Sequence, residues 1–256
     1  MAICLTYPTN YPANHILVEV KSRTLSRKLL DGLERVAEGE AKKLVGKPHV
    51  LFILKLINQF FDDNPLSCVA EEISHIKRLL GNEDKLKLSQ KTSSLTLLVT
   101  KNKYYLKTKV NVPNNYPSDR ITLESAETNF PRVFKAWFVE QAKEIVRRCV
   151  EPPLKPKPNQ PPFEPKPSLE PAVGFLVNNV KRYPDEICQG CKNKALPEDP
   201  TKVVHSEHGA AHVERVYCSH LYHHDCLILY MKTPPFQGND KFHHFCLKFG
   251  HFDGNR

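Results

Sequence analysis

The sequence predicts an α+β chain made of two copies of one strand–turn–strand–helix–helix unit, followed by a C-terminal module rich in Cys and His. Two observations carry this. An Asn-Tyr-Pro turn with a strand behind it occurs twice. Five of the eight Cys lie between Cys188 and Cys246, and nine of the twelve His between His205 and His251.

Asn10-Tyr11-Pro12 leads into Ile16-Leu17-Val18-Glu19, and Asn115-Tyr116-Pro117 leads into Ile121-Thr122-Leu123-Glu124, an offset of 105 residues. A second match runs at an offset of 123: Pro48 opens a helix-period stretch ending near Phe60, and Pro171 opens one ending near Tyr183. Proline suits a first helical turn, where its missing N–H is not needed. Because the offsets differ by 18 residues, the second copy carries extra material. It falls in 151–171, where nine of 21 residues are Pro. Such a run cannot enter a helix or sheet interior and stays extended and solvated. We read it as an insertion before the last helix of the second copy rather than as a linker; a proline-rich ligand for an aromatic groove is a further reading.

In the first copy, assigned 1–82, Leu25 to Leu44 and Val50 to Phe61 are helical stretches. Cys68 to Leu80 is a further helix joining the copies. The first copy is expected to have no strands before Leu5, and a two-strand deficit leaves an unpaired sheet edge. That predicts a truncated or alternative start. The second copy, 92–184, has β-rich runs Leu95–Thr100 and Tyr104–Val112 around a turn at Lys101-Asn102-Lys103. Its first helix starts at Pro131, and Phe134, Phe138, Ile145 and Cys149, with Trp137 and Ala142, give one apolar face. The strand hairpin, the Tyr-Pro turns at Tyr11-Pro12 and Tyr116-Pro117, a further strand and two helices resemble the RWD domain, a non-catalytic relative of the ubiquitin-conjugating enzymes. Neither a His-Pro-Asn motif nor a nucleophilic Cys follows Tyr116-Pro117, so the resemblance implies no conjugating activity and no catalytic residue.

The net charge of +9 is spread along the chain rather than gathered in a block, as on a solvated surface. No run reaches the roughly 18 apolar residues of a membrane span, and the start lacks a secretory pattern. Cys4, Cys68 and Cys149 are isolated in or near apolar segments and are expected to be small buried hydrophobes. Clustered Cys with His and no secretory context point to a metal in a reducing, intracellular compartment, cytoplasm or nucleus, rather than to disulfides.

Zinc in a structural site takes four Cys or His ligands in a tetrahedron. Cys188-Gln189-Gly190-Cys191 offers one pair, with Gly190 easing the turn. Cys218-Ser-His220-Leu-Tyr-His223-His-Asp-Cys226 offers two more, Cys218 with His220 and His223 with Cys226. Only Cys246 remains for the last pair. As first member it would leave Phe249, which binds no metal, in the final place; as second member it pairs with His243. The alternatives are His244, His251 or a defective second site. His205, His208 and His212 are expected to be exposed.

Residues 185–256 resemble a RING finger of the His-His subtype, with Leu227 to Tyr230 as its central helix. The resemblance implies two zinc ions in a cross-brace: Cys188, Cys191, His223 and Cys226 on one, and Cys218, His220, His243 and Cys246 on the other. It also implies docking of a ubiquitin-charged conjugating enzyme, with Ile187, Gln189, Gly190, Tyr230 and Pro235 at the contact positions and Lys248 as the basic residue that steadies ubiquitin. RING modules have no nucleophile of their own; they act by positioning. The order of modules resembles that of the Fanconi-anaemia core-complex ubiquitin-ligase family, whose RWD-type region binds a protein substrate or complex partner. The expected function is thus a RING-type ubiquitin ligase or ligase-complex subunit. The alternative is a non-catalytic scaffold with a degenerate RING. Nucleic-acid binding is disfavoured by the absence of zinc-finger spacing and of a basic recognition helix.

Overall fold

In the computed structural model, which describes residues 2–22, 25–155, 161–216 and 218–233, the chain is a mixed α+β protein. Pro235, His243, His244, Cys246, Lys248, Phe249 and His251 lie outside the described residues. Among the described residues no helix is long and apolar enough to cross a membrane.

The first sheet has two antiparallel strands, β1 (Ala2–Thr6) and β2 (Leu17–Lys21), in register from Ala2↔Lys21 to Thr6↔Leu17. In β2 the alternation is clean: Val18 and Val20 are buried while Leu17, Glu19 and Lys21 are exposed. The strand β1 corrects the expectation that nothing precedes Leu5. Its outward residues Ala2, Cys4 and Thr6 are small or apolar, so the period of two does not show in the sequence. Cys4 is exposed, not buried as expected, and Cys68 and Cys149 are half-buried.

Helices α1 (Arg27–Lys43) and α2 (Val50–Asp63) cover this sheet. Ser26 caps α1, its hydroxyl accepting the N–H of Leu29 at 3.3 Å. Leu30, Leu33, Ala37 and Ala41 recur at helical spacing and are buried. With Ile16, Val18, Val20, Ile53 and Ile57, Leu30, Ala37 and Ala41 form one core. Gly39 sits inside α1, where an added Cβ would meet nothing within 4 Å. Glycine in a helix interior costs about 1 kcal/mol against Ala. Gly39→Ala is therefore expected to stabilise the protein by about 0.5–1 kcal/mol, read as a higher denaturation midpoint at unchanged slope.

A 3-10 turn (Pro65–Val69) and α3 (Ala70–Leu79) lead into the second sheet, of order β3-β4-β5-β6: Lys85–Ser89, Ser94–Lys101, Tyr104–Asn111 and Thr122–Thr128. The hairpin between β4 and β5 stands where the sequence places it. Its two turn residues, Asn102 and Lys103, have φ of 50° and 69°, as a tight right-twisted hairpin requires. Leu95, Leu97 and Val99 alternate inward on β4, and Tyr104, Leu106 and Val110 on β5. This sheet has two strands more than the first. Helix α4 (Arg132–Val150) follows, then α5 (Leu169–Arg182) after the Pro-rich segment, of which 161–167 is exposed and irregular. On α4 the buried line is Phe134, Phe138, Ala142, Val146 and Val150; Ile145, Cys149 and Trp137 are only half-buried, a shift of one residue in the second half of the predicted face.

The two Tyr-Pro turns do one job. Both Tyr-Pro peptides are cis. The Tyr11 hydroxyl accepts the N–H of His49, at the start of α2, at 2.8 Å. The Tyr116 hydroxyl accepts the N–H groups of Ser168 and Leu169, at the start of α5, at 2.6 and 3.1 Å. Each tyrosine thus satisfies donors that a helix N-terminus leaves without a partner. The match corrects the helix alignment. Helix α5 begins at Leu169, not Pro171, so its counterpart in α2 lies 119 rather than 123 residues away. A slip of four residues is about one turn and leaves the same face inward, so apolar periodicity alone does not detect it.

By contact density, the described residues within 1–97, 109–125 and 142–174 form one compact unit and those within 98–108, 126–141 and 175–256 another.

Candidate metal centre

Four side chains converge after α5. Cys188 pairs with Leu221 in an isolated parallel bridge, and the Gln189 N–H donates to the Leu221 carbonyl at 3.0 Å. This holds the Cys188–Cys191 turn beside a short hairpin, β7 (Val213–Arg215) and β8 (Leu221–His223). β8 ends on His223, the residue just before α6 (His224–Lys232), and Cys226 lies in the first turn of that helix. The ligand atoms of Cys188, Cys191, His223 and Cys226 all lie within 4.8 Å of one another. The His223 Nδ1 is 3.4 Å from Cys191 Sγ and 4.0 Å from Cys226 Sγ. Tetrahedral zinc with bonds of about 2.3 Å to sulfur and 2.0 Å to nitrogen sets sulfur and nitrogen about 3.5 Å apart. The cluster is near that shape.

Its electrostatics also suit a cation. Burial pushes the Cys188 thiol up, but the backbone N–H groups of Cys191, His223 and Gly190 aimed at its sulfur outweigh burial and bring it below its usual 9.0. Cys226 is pushed up to about 11, by burial first and then by the neighbouring sulfurs of Cys188 and Cys191. Three thiols this close resist ionising together. A divalent ion between them removes the conflict, and the set of three sulfurs and one imidazole fits zinc.

Gly190 serves this packing rather than the turn itself. A Cβ there would stand 2.8 Å from the Cys226 Cβ, and α6 cannot retreat without moving Cys226. Gly190→Ala is expected to weaken zinc binding by tenfold or more, measured by competition with a chromogenic chelator.

A second pair sits apart. At the tip of the hairpin, Cys218 Sγ lies 3.0 Å from His220 Nδ1. Two residues separate His220 from His223, and among the described residues neither Cys218 nor His220 belongs to the four-residue cluster. Its expected partners, Cys246 and His243, lie outside the described residues. Among the remaining His, His205 and His208 are exposed, while His212 is half-buried and its Nδ1 is 3.0 Å from the Val204 carbonyl, against the expectation of exposure.

Of the expected contact positions, Ile187 is 41% exposed and Gly190 is exposed; Gln189 and Tyr230 are half-buried, the Tyr230 ring lying 5.9 Å from that of Tyr222. Leu229 and Met231, which the sequence reading did not single out, are exposed at 67% and 41%. They flank Tyr230, and the apolar run Leu227–Met231 already held that signal. No family model matches the chain, and no curated protein matches it.

Proposed function

We propose that residues 185–256 form a RING-type module with two zinc ions, and that the chain is a ubiquitin ligase or ligase-complex subunit. The observation that carries the reading is the interleaving of ligands along the chain. Cys188 and Cys191 meet His223 and Cys226, while Cys218 and His220, which lie between them in sequence, form a separate pair. That is the order of a cross-brace, with Cys246 and His243 completing the second site. Zinc here fixes shape and supplies no chemistry to a substrate. The module would present Ile187 and the α6 residues Leu229, Tyr230 and Met231, with Pro235, to a charged conjugating enzyme, and transfer would follow from proximity alone. The two preceding copies would be RWD-like, a reading supported by the shared role of Tyr11 and Tyr116, and would bind protein substrate or complex partner. The setting would be intracellular.

The second reading is a scaffold whose zinc module docks without transferring ubiquitin. Gly190 favours it: the position next to the second Cys, where the family has an apolar contact, lies against Cys226 and has no room for a side chain. Autoubiquitination with a panel of conjugating enzymes separates the two. Activity abolished by Cys188→Ala is the result expected of a ligase. No activity with any conjugating enzyme, from a folded sample with both ions bound, favours the scaffold.

A further inference from the structure

Arg215, on β7, belongs to neither candidate ligand set, yet it joins one ligand pair to Trp137 of α4 and to Tyr183, just after α5. Its guanidinium carbon lies 3.9 Å from the centroid of the Trp137 ring. Its Nε donates to the Tyr183 hydroxyl at 3.2 Å and one terminal nitrogen donates to the Ser219 hydroxyl at 2.8 Å. Ser219 stands between Cys218 and His220 and has a φ of 72°, a left-handed conformation that residues other than Gly seldom adopt. The Trp137 ring packs edge-on against Phe175 and Tyr183, at 5.1 and 5.5 Å.

We propose that Arg215 is a positioning residue that holds the Cys218–His220 pair in ligand geometry and transmits metal occupancy there to Trp137. For both side chains to face one ion, the backbone between them must keep its left-handed turn, and the Arg215–Ser219 bond holds it there. Conversely, an ion on Cys218 and His220 fixes Ser219 and keeps Arg215 seated on the indole. Once the ion leaves, the hairpin tip loses its anchor, Arg215 loses one of its hydrogen-bond partners, and the Trp137 face opens to water. Residues that orient metal ligands in this way change metal affinity 10–100-fold when removed. The inference rests on the two-zinc reading.

Trp137 is the chain's single Trp, so its emission reports on the surroundings of this one ring. The zinc-loaded full chain is titrated with a chromogenic chelator while released zinc and Trp137 emission are followed together. In the parent protein, emission is expected to shift to the red as the more weakly held ion departs. Arg215→Met is expected to release that ion at least tenfold faster, with Trp137 already red-shifted before chelation. Ser219→Ala removes only the Ser219 bond, a smaller change that guards against misfolding. It is expected to speed release similarly, with Trp137 emission red-shifted before chelation as well. Release at the parent rate in both variants overturns the proposal. A chain that binds two ions but whose Trp137 emission ignores their removal overturns the clamp and leaves the metal reading standing; a chain that binds no zinc overturns both.

Discussion

Stripping zinc from the full chain is expected to unfold residues 186–233 while leaving both sheets of the preceding copies protected. The reason lies in how little that segment buries. Among its described residues the regular structure amounts to two strands of three residues and one nine-residue helix, with a 3-10 turn. Its buried apolar side chains are few: Ala195, Leu196, Val203, Val213, Leu221 and Tyr222, around a fully buried Cys188. A core this small does not offset the chain entropy of some fifty residues without a staple. Structural zinc contributes about 10–16 kcal/mol of binding free energy that is also folding free energy. Amide hydrogen exchange with and without a strong chelator reads the effect. Protection along β7, β8 and α6 is expected to vanish on chelation and in Cys188→Ala, whereas the amides of β4 and β5 keep theirs. Undiminished protection in β8 and α6 after zinc removal would show that the segment folds without metal.

The second large effect is expected at Tyr116. Its hydroxyl accepts two backbone N–H groups and donates to Glu72 Oε2 at 2.5 Å, and the other carboxylate oxygen accepts the Glu170 N–H at 2.9 Å. Burial pushes the Tyr116 phenol up, and the neighbouring Glu72 pushes it further, so it stays protonated and able to donate. Tyr116→Phe strands two donors and half of a buried carboxylate. Each buried polar group left without a partner costs about 1–3 kcal/mol, which puts the total near 3–5 kcal/mol. Tyr11→Phe strands a single N–H, that of His49, and is expected to cost about 1–2 kcal/mol. Equal losses in the two variants, measured by denaturant unfolding, would contradict this account of the hub.

The same hub gives stability a pH dependence of definite sign. Burial pushes the Glu72 carboxyl above its usual 4.5, against the opposing hydrogen bonds from the Glu170 N–H and Tyr116. The folded chain then holds that proton more tightly than the unfolded chain. Its contribution to stability is therefore largest below the usual carboxyl range, falls as pH rises through the raised value, and is flat above it. Glu72→Gln is expected to remove that slope. A Gln variant with the parent's pH profile between mildly acid and neutral pH would contradict it.

What could be read from the sequence follows from how local each cause is. The paired Tyr-Pro turns were legible because one side chain at a fixed place before a strand caps the start of a helix in both copies. The alignment of α5 with α2 was misjudged by four residues, about a turn, because such a slip keeps the same face inward. β1 escaped notice because Ala2, Cys4 and Thr6 offer no polar contrast to Ile3 and Leu5. The spacing Cys-x-x-Cys and Cys-x-His-x-x-His-x-x-Cys suggested six metal ligands, but spacing alone did not say which pairs meet. Four of them converge in the fold, where the bridge between Cys188 and Leu221 sets the first turn against the far end of the hairpin rather than its tip. Gly190 looked like a turn residue and is instead a close contact with Cys226. Arg215 over Trp137 joins residues 78 positions apart, and nothing in either local sequence announces it.

The central claim is that Cys188, Cys191, His223 and Cys226 hold one ion while Cys218 and His220 belong to another. Counting zinc per chain on the purified full-length protein, by elemental analysis or native mass spectrometry, tests it most directly. Two ions per chain, falling to one or none in Cys188→Ala and to one in Cys218→Ala, is the predicted result. A single ion in the parent protein would contradict the cross-brace, and its loss on replacing Cys218 would show that the two pairs serve one site.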